Sequence, residues 1–155
     1  MKSGHSFANF FDFQDYAIRE FRFFWRTFLD WSHPITEGAT EPVCVGDTVE
    51  HAVFFPNLSL NYAENLLAGD DERIAVIACQ NTRTVQVTRR ELRDRVKRAA
   101  TGLASLGVAA GDRVVAIAYS DIDTVVACLA TAALGASFST AAPDMAAPAI
   151  LSRFG

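Results

Sequence analysis

The stretch 111–144 constrains the fold most, because it predicts a strand, a helix and a second strand in succession. Its residues 113–119 form a short apolar run rich in β-branched residues, a pattern typical of a strand buried on both faces. Asp121 is placed to cap the helix that follows, and Gly135 stands where a helix C-terminus favours glycine. Residues 136–140 resume an extended pattern. Because two strands joined by a helix lie parallel, this unit predicts an open α/β fold.

A second set of patterns extends this fold upstream. Residues 73–79 predict a strand, and residues 84–87 predict its antiparallel return. Thr88 and Glu91 have the spacing of a capping box, in which each side chain satisfies a backbone N–H of the other residue. The helix that they begin is predicted to end at Gly107, with an apolar face made of Leu92, Val96, Ala99, Ala100, Leu103 and Leu106.

The first third of the chain carries a different pattern. Residues 12–31 predict one amphipathic helix with an aromatic stripe, which is typical of a docking face. Residues 32–56 have turn residues and no sustained period, so we interpret them as an extended connector that runs over a surface. Asn61, followed by Glu64 three residues later, predicts the start of a short helix. A last helix is predicted over residues 144–154.

Composition argues against several classes of protein. A net charge of −4 offers no basic footprint for nucleic acid. Cys44, Cys79 and Cys128 lack the spacing of metal ligands, so we expect no metal site and interpret them as buried reduced thiols of a cytoplasmic protein. The uncharged run 124–142 is long enough to span a bilayer. It consists mainly of small residues interrupted by Gly135, which favours the helix-plus-strand interpretation and no membrane partner.

We find no catalytic constellation in these patterns. Gly102 and Gly107 have the spacing of a phosphate-binding loop but lack the Lys-Ser/Thr that follows one, so their role is structural. Asp121 is better explained as a helix cap than as an acid or base. Ligands of open α/β sheets bind beyond the carboxyl ends of the strands, which here are residues 119–121 and 140–144.

Several segments, taken together, resemble the N-terminal part of the adenylate-forming acyl-CoA synthetases. The matching pieces are residues 24–31 (FWRTFLDW), 54–67 (FFPNLSLNYAENLL), 87–117 and 127–144, in collinear order. The likeness is greatest to the branch that activates short-chain acids such as acetoacetate or acetate. It implies an α/β fold that is the incomplete N-terminal portion of the family's large domain. Residues 1–66 would then form an N-terminal extension of helix and connector, and residues 67–155 the start of the AMP-dependent synthetase domain.

The resemblance also implies a chemistry. Family enzymes use ATP, Mg²⁺ and coenzyme A to convert a carboxylate into an acyl-adenylate and then into an acyl-CoA. Their phosphate loop and catalytic lysine have no counterpart in this sequence, so we assign no catalytic and no metal-binding residue and expect a fragment that is inactive alone. The turn Ala142, Pro143 and Asp144 matches a segment that lies beside coenzyme A. Two alternatives stay open: association with a complementary ligase chain, and a non-catalytic assembly module that docks through its aromatic helix.

Overall fold

The computed structural model describes residues 4–48, 50–80 and 83–154. The chain divides into two compact units, one up to Leu60 and one from Asn61 onward. Each unit has its own packing, and they are described separately. The predicted division of the chain into residues 1–66 and 67–155 stays a prediction.

The first unit begins with two helices where a single one was predicted over residues 12–31. Helix α1 spans Phe10–Arg19 and helix α2 spans Phe21–Ser32. Glu20 separates them with φ −106° and ψ 37°, outside helical geometry. The break brings the rings of Phe13 and Phe24 to 5.8 Å, whereas eleven residues of straight helix would separate their Cα atoms by roughly 16 Å. Aromatic packing across the break therefore prevails over the continuous periodicity.

The segment after α2 folds back on itself. Strand β1 (Glu37–Gly38) pairs antiparallel with β4 (Leu58–Ser59), and β2 (Cys44–Val45) pairs antiparallel with β3 (Val53–Phe54). The extended connector is therefore held by short antiparallel pairings that the sequence pattern did not predict. Pairings between residues about ten to twenty positions apart leave no periodic signal in strands as short as two residues.

Side chains of α2 hold this folded segment. The ring of Trp25 lies 5.8 Å from that of Phe54 in an edge-to-face arrangement. Arg26 pairs with Glu41, and Arg22 pairs with Asp47. Because these ion pairs are largely exposed, we attribute most of the packing to the aromatic contacts.

The second unit opens with α3 (Tyr62–Leu67), capped as predicted by Asn61, whose Oδ1 accepts a hydrogen bond from the Glu64 N–H at 3.1 Å. Strands β5 (Ile74–Gln80) and β6 (Arg83–Thr88) then form the predicted antiparallel pair. This confirms the strand–return pattern to within about one residue at each end.

Helix α4 (Arg89–Ser105) starts with the predicted capping box of Thr88 and Glu91. Leu92 and Val96 are buried on its apolar face, with Ala99, Ala100 and Leu103 packed against the same core. Leu106 is 82% exposed, contrary to the prediction, because it is the C-cap residue and no longer follows the helical face.

Strand β7 (Arg113–Ile117), helix α5 (Ile122–Ala133) and strand β8 (Ser137–Ala141) form the predicted parallel unit. The strands pair in register from Arg113 opposite Ser137 to Ile117 opposite Ala141. Gly135 has φ +74°, the left-handed conformation expected after a helix. Helix α6 (Ala147–Phe154) follows, three residues later than predicted.

Burial of β7 differs from expectation. Val114 and Ala116 are half-buried, but Val115 is 47% and Ile117 56% exposed, so the strand is covered on one face rather than two. Within the described ranges the strands form four separate two-stranded ladders instead of one sheet. An apolar run predicts that both faces can be buried but does not say which element covers them.

The core of the second unit lies where α3, α4 and α5 meet the β5–β6 pair. Its buried side chains are Ala63, Leu67, Val87, Leu92, Val96, Ile122, Val126, Leu129 and Ala130. Helix α5 is central, since it packs against α3, α4 and β8. The stretch 111–144 therefore contains the helix around which this core is built.

Two other expectations concern the membrane and the thiols. The uncharged run 124–142 is divided between α5 and β8, and no helix in the described part of the chain is long and apolar enough to cross a membrane. All three cysteines are free thiols; Cys44 is buried and Cys128 half-buried, but Cys79 is exposed, which corrects the prediction of three buried thiols.

Candidate functional site

The carboxyl ends of β7 and β8 meet at one edge, as the parallel register requires. Beyond the last paired residues, the Ala118 N–H donates to the Ala141 carbonyl at 3.0 Å and extends the ladder by one step. The two loops that follow, residues 118–121 and 142–146, therefore leave the strands side by side. We call this position the carboxyl edge.

The three predicted coenzyme-binding residues lie together at the carboxyl edge. Ala142, Pro143 and Asp144 form a turn closed by the Met145 N–H, which donates to the Ala142 carbonyl at 3.1 Å. Ala142 and Asp144 are exposed, and Pro143 is half-buried. A ligand could approach the backbone closely here because Ala142 has a small side chain.

Asp121 has the capping role predicted for it. Its side chain accepts a hydrogen bond from the Thr124 N–H at 2.9 Å, and the Thr124 hydroxyl donates to the Tyr119 carbonyl at 2.6 Å. These bonds fix the loop between β7 and α5. They also occupy the Asp121 carboxylate, so it serves the helix N-terminus rather than acid or base chemistry.

The charge of the carboxyl edge is acidic. Residues 118–124 and 141–152 include Asp121, Asp123 and Asp144 but no lysine or arginine. An anionic ligand bound at this edge would therefore need its neutralising cations from another source. By themselves these loops offer backbone groups and small side chains, which position a ligand but do not activate it.

Among the described residues away from the carboxyl edge, the glycines have structural roles and the acidic groups form no metal cluster. Gly102 lies inside α4, and Gly107 follows its C-cap with φ +93°, as expected of structural glycines. In the described ranges no three His, Cys, Asp or Glu residues are grouped closely enough to hold a metal ion.

The structure also contains a groove that the sequence reasoning missed. It has a volume of about 560 Å³ and lies between β5, α5 and β8. Apolar side chains line much of it, among them Leu66, Val76, Val125 and Phe138. Its residues come from segments up to 78 positions apart, from Tyr62 to Thr140, so no local pattern could have indicated it. We call it the β8 groove.

Comparison with known proteins gives the class to which the chain belongs. Residues 64–154 match the family of AMP-binding enzymes, and the chain belongs to this family. The α/β fold corresponds to the N-terminal portion of an adenylate-forming enzyme.

Relatives that match the chain nearly end to end include acetoacetyl-CoA synthetases. Acetoacetyl-coenzyme A synthetase of Rhizobium meliloti (strain 1021) is 35% identical over 98% of this chain and 24% of its own length. Acetoacetyl-CoA synthetase of Gallus gallus is 33% identical over 97% of this chain and 23% of its own length.

Solved structures agree with this relationship. Acetoacetyl-CoA synthetase from Streptomyces lividans superposes with a TM-score of 0.92 at 32% identity, covering 99% of this chain and 24% of that one. An acyl-CoA synthetase of Brucella canis superposes with a TM-score of 0.57 at 25% identity over 62% of this chain and 18% of its own. The chain thus spans about a quarter of the length of the relatives it matches.

Proposed function

We propose that this chain is the N-terminal part of an ATP-dependent acid–CoA ligase that acts on a short-chain carboxylate such as acetoacetate. The observation that carries the proposal is the extent of the similarity. Acetoacetyl-CoA synthetases match 97–99% of the chain, including the first unit, with a TM-score of 0.92 for the Streptomyces lividans structure. The Brucella canis acyl-CoA synthetase covers 62%.

In such a ligase a carboxylate oxygen attacks the α-phosphorus of ATP and pyrophosphate leaves. The thiol of coenzyme A then attacks the acyl carbon, and AMP leaves. A carboxylate lacks a good leaving group, whereas the mixed anhydride formed with AMP has one. The phosphates of both substrates are strongly anionic, so the enzyme needs cationic groups around them.

We propose that the described residues act as scaffold in this reaction and that the chain alone does not adenylate an acid. The carboxyl edge carries Asp121, Asp123 and Asp144 without a lysine or arginine beside them in sequence. Asp121 is already committed to the N-terminus of α5. These observations favour an arrangement in which ATP, Mg²⁺ and the catalytic lysine are bound by other parts of a longer polypeptide.

The turn formed by Ala142, Pro143 and Asp144 is the part of the chain that we propose to lie beside coenzyme A. Its position at the carboxyl ends of two parallel strands supports this role, because ligands of open α/β sheets bind there. The exposed backbone of Ala142 leaves room for close approach. As part of the same proposal we place the enzyme in the cytoplasm, where free thiols such as exposed Cys79 stay reduced.

The test is acid-dependent ATP–pyrophosphate exchange. The purified chain is assayed alone and after co-expression with the part of Streptomyces lividans acetoacetyl-CoA synthetase that it does not cover. We expect no exchange from the chain alone and acetoacetate-dependent exchange from the pair. Exchange by the chain alone would contradict the scaffold role, and its absence in a purified, stoichiometric pair would contradict the ligase assignment.

The second candidate function is that of a non-catalytic assembly module. It is favoured by the exposed aromatic surface of the first unit, where Phe10 is 69%, Phe11 75% and Trp31 70% exposed. Under this alternative, Phe11→Ser and Trp31→Ser would abolish partner binding measured by calorimetry, and no pairing would restore exchange. Under the ligase proposal, the assembled pair shows acetoacetate-dependent pyrophosphate exchange even if Phe11→Ser and Trp31→Ser weaken the binding of a partner.

A further inference from the structure

We propose that the ring of Tyr119 is the surface on which the adenine of coenzyme A stacks. The inference rests on the proposed function, which places coenzyme A beside Ala142, Pro143 and Asp144. It deepens that function by naming the residue that recognises the base. AMP and coenzyme A, after which the family and the relatives are named, share an adenine.

The first observation is the position of Tyr119 next to the proposed coenzyme turn. The Ala118 N–H donates to the Ala141 carbonyl at 3.0 Å, so these two residues lie side by side on neighbouring strands. Tyr119 and Ala142 are the residues that follow them. Because the backbones of paired strands run about 5 Å apart, the side chain of Tyr119 is within reach of a ligand that lies on the turn.

The second observation is the exposure of the ring. Tyr119 is 73% exposed. Along β7 exposed residues alternate with half-buried ones, and Tyr119 continues the exposed series that contains Val115 and Ile117. Since alternate residues of a strand share a face, the ring projects from the more exposed face of β7, at its carboxyl end.

The third observation is that the backbone of Tyr119 is fixed. Its carbonyl accepts two hydrogen bonds, one from the Asp121 N–H at 2.9 Å and one from the Thr124 hydroxyl at 2.6 Å. A single exposed aromatic side chain is ordinary on a protein surface. An aromatic ring that extends from a fixed loop at the ligand edge of an α/β sheet has less freedom to lose on binding, which favours it as a binding surface.

The charge of the carboxyl edge indicates which part of the coenzyme binds here. Residues 118–124 and 141–152 contain Asp121, Asp123 and Asp144 and no lysine or arginine. These loops repel the phosphates of coenzyme A, whereas its adenine is uncharged and stacks on an aromatic ring without a charged partner. The base is therefore the part of the coenzyme that fits this edge, while the phosphates take their cations from the rest of a longer polypeptide.

The experiment uses the full chain co-purified with the part of the Streptomyces lividans enzyme that it does not cover. Tyr119→Ser removes the ring, and Tyr119→Phe keeps it. Leu106→Ser is the control, because Leu106 is 82% exposed and precedes the loop that enters β7 at the opposite end of the strand. Thioester formation is measured with coenzyme A and with pantetheine, which carries the same thiol arm without the adenine. Circular dichroism and urea unfolding confirm that each variant is folded.

With coenzyme A we expect kcat/KM to fall at least about tenfold in Tyr119→Ser and less than about twofold in Tyr119→Phe and Leu106→Ser. With pantetheine we expect all variants to stay within about twofold of the parent chain, because there is no base to stack. An equal loss with both thiols in Tyr119→Ser, or no loss with coenzyme A, would overturn the inference. A higher KM for ATP in pyrophosphate exchange by Tyr119→Ser would overturn the choice of coenzyme A as the ligand.

Calorimetry with coenzyme A on the same samples separates this inference from the proposed function, because it requires no turnover. A dissociation constant that rises in Tyr119→Ser, in a pair without acetoacetate-dependent exchange, would leave the stacking surface standing and defeat the ligase assignment. An active pair whose affinity for coenzyme A is indifferent to Tyr119→Ser would do the opposite. A folded pair that binds no coenzyme A would overturn the inference.

Discussion

Asn61 joins the start of α3 to the end of α5: its Nδ2 donates to the Ala133 carbonyl at 3.0 Å, across 72 positions of sequence. The Oδ1 of the same amide accepts from the Glu64 N–H at 3.1 Å and caps α3. One side chain thus satisfies an orphan donor of one helix and a carbonyl at the end of another. The contact orients α3 on the helix around which the second unit is built.

Substituting Asn61 separates these two roles. Asn61→Ala removes both bonds, and we expect a loss of about 1.5–3 kcal/mol in the free energy of unfolding. Asn61→Asp keeps a good cap but cannot donate to the Ala133 carbonyl, so the expected loss is smaller, about 1 kcal/mol. Urea unfolding followed by circular dichroism measures both. An Asn61→Asp variant as stable as the parent chain would show that the contact with α5 contributes nothing, and equal losses in the two variants would show the same of the cap.

The capping box of α4 predicts that the free energy of unfolding depends on pH. The backbone N–H of Thr88 donates to the Glu91 carboxylate at 2.9 Å and its hydroxyl donates at 3.1 Å, which lowers the pKa of Glu91. Because the folded-state pKa lies below the unfolded one, this contribution to stability is complete above the ordinary pKa of glutamate, roughly 4.3. It is lost as the pH falls through the lowered value.

In Glu91→Gln we therefore expect a flatter dependence of unfolding free energy on pH between about 5 and 3. Thr88→Ala, which keeps the backbone donor and loses the hydroxyl, should show an intermediate slope. Parallel curves for the parent chain and Glu91→Gln, measured by urea unfolding at a series of pH values, would refute the assignment.

Alanine substitutions at Gly135 and at Gly102 are expected to change the free energy of unfolding in opposite directions. Gly135 has φ +74°, and a Cβ there would lie 3.1 Å from Ala110 Cβ. Gly135→Ala should therefore lower the unfolding free energy by about 1–2 kcal/mol or more. Gly102 lies within α4 with open space where a methyl group would project, so Gly102→Ala should raise it by about 0.5–1 kcal/mol. Changes of the same sign, measured by urea unfolding, would contradict this account of the turn before β8.

If the turn at Asp144 lies beside coenzyme A, reversing the charge of this residue should lower the KM for coenzyme A. Asp144→Lys, measured in the active pair, replaces a repulsive charge by an attractive one beside the phosphates of coenzyme A. We expect the KM for coenzyme A to fall about two- to fivefold, as for an exposed ion pair, with pyrophosphate exchange unchanged. Asp94→Lys makes the same charge change on exposed α4 and should leave KM within experimental error. Equal responses would remove Asp144 from the site.

Local signals in the sequence were sufficient to predict much of the secondary structure of the second unit. Thr88 with Glu91 and Asp121 with Thr124 act over three residues, so each helix start is encoded by near neighbours in the chain. The parallel pairing of β7 and β8 followed from the helix between them. These signals could not predict how far each face of a strand is covered: Val115 and Ile117 fit a strand buried on both faces, yet they are 47% and 56% exposed.

The remaining differences arise from contacts between distant residues. The approach of Phe13 to Phe24 breaks a helix whose periodicity continues through Glu20. The bond from Asn61 to Ala133 and the lining of the β8 groove join residues that the chain separates widely. At the candidate site the sequence placed Ala142, Pro143 and Asp144 at the edge of the sheet, but their role beside coenzyme A stays a prediction.

The most direct measurement of the central claim is acetoacetate-dependent ATP–pyrophosphate exchange, with the chain alone and the co-purified pair compared at equal concentration. The account predicts exchange above background from the pair and none from the chain. Exchange by the chain alone, or a stoichiometric pair of folded partners that shows none, would contradict it.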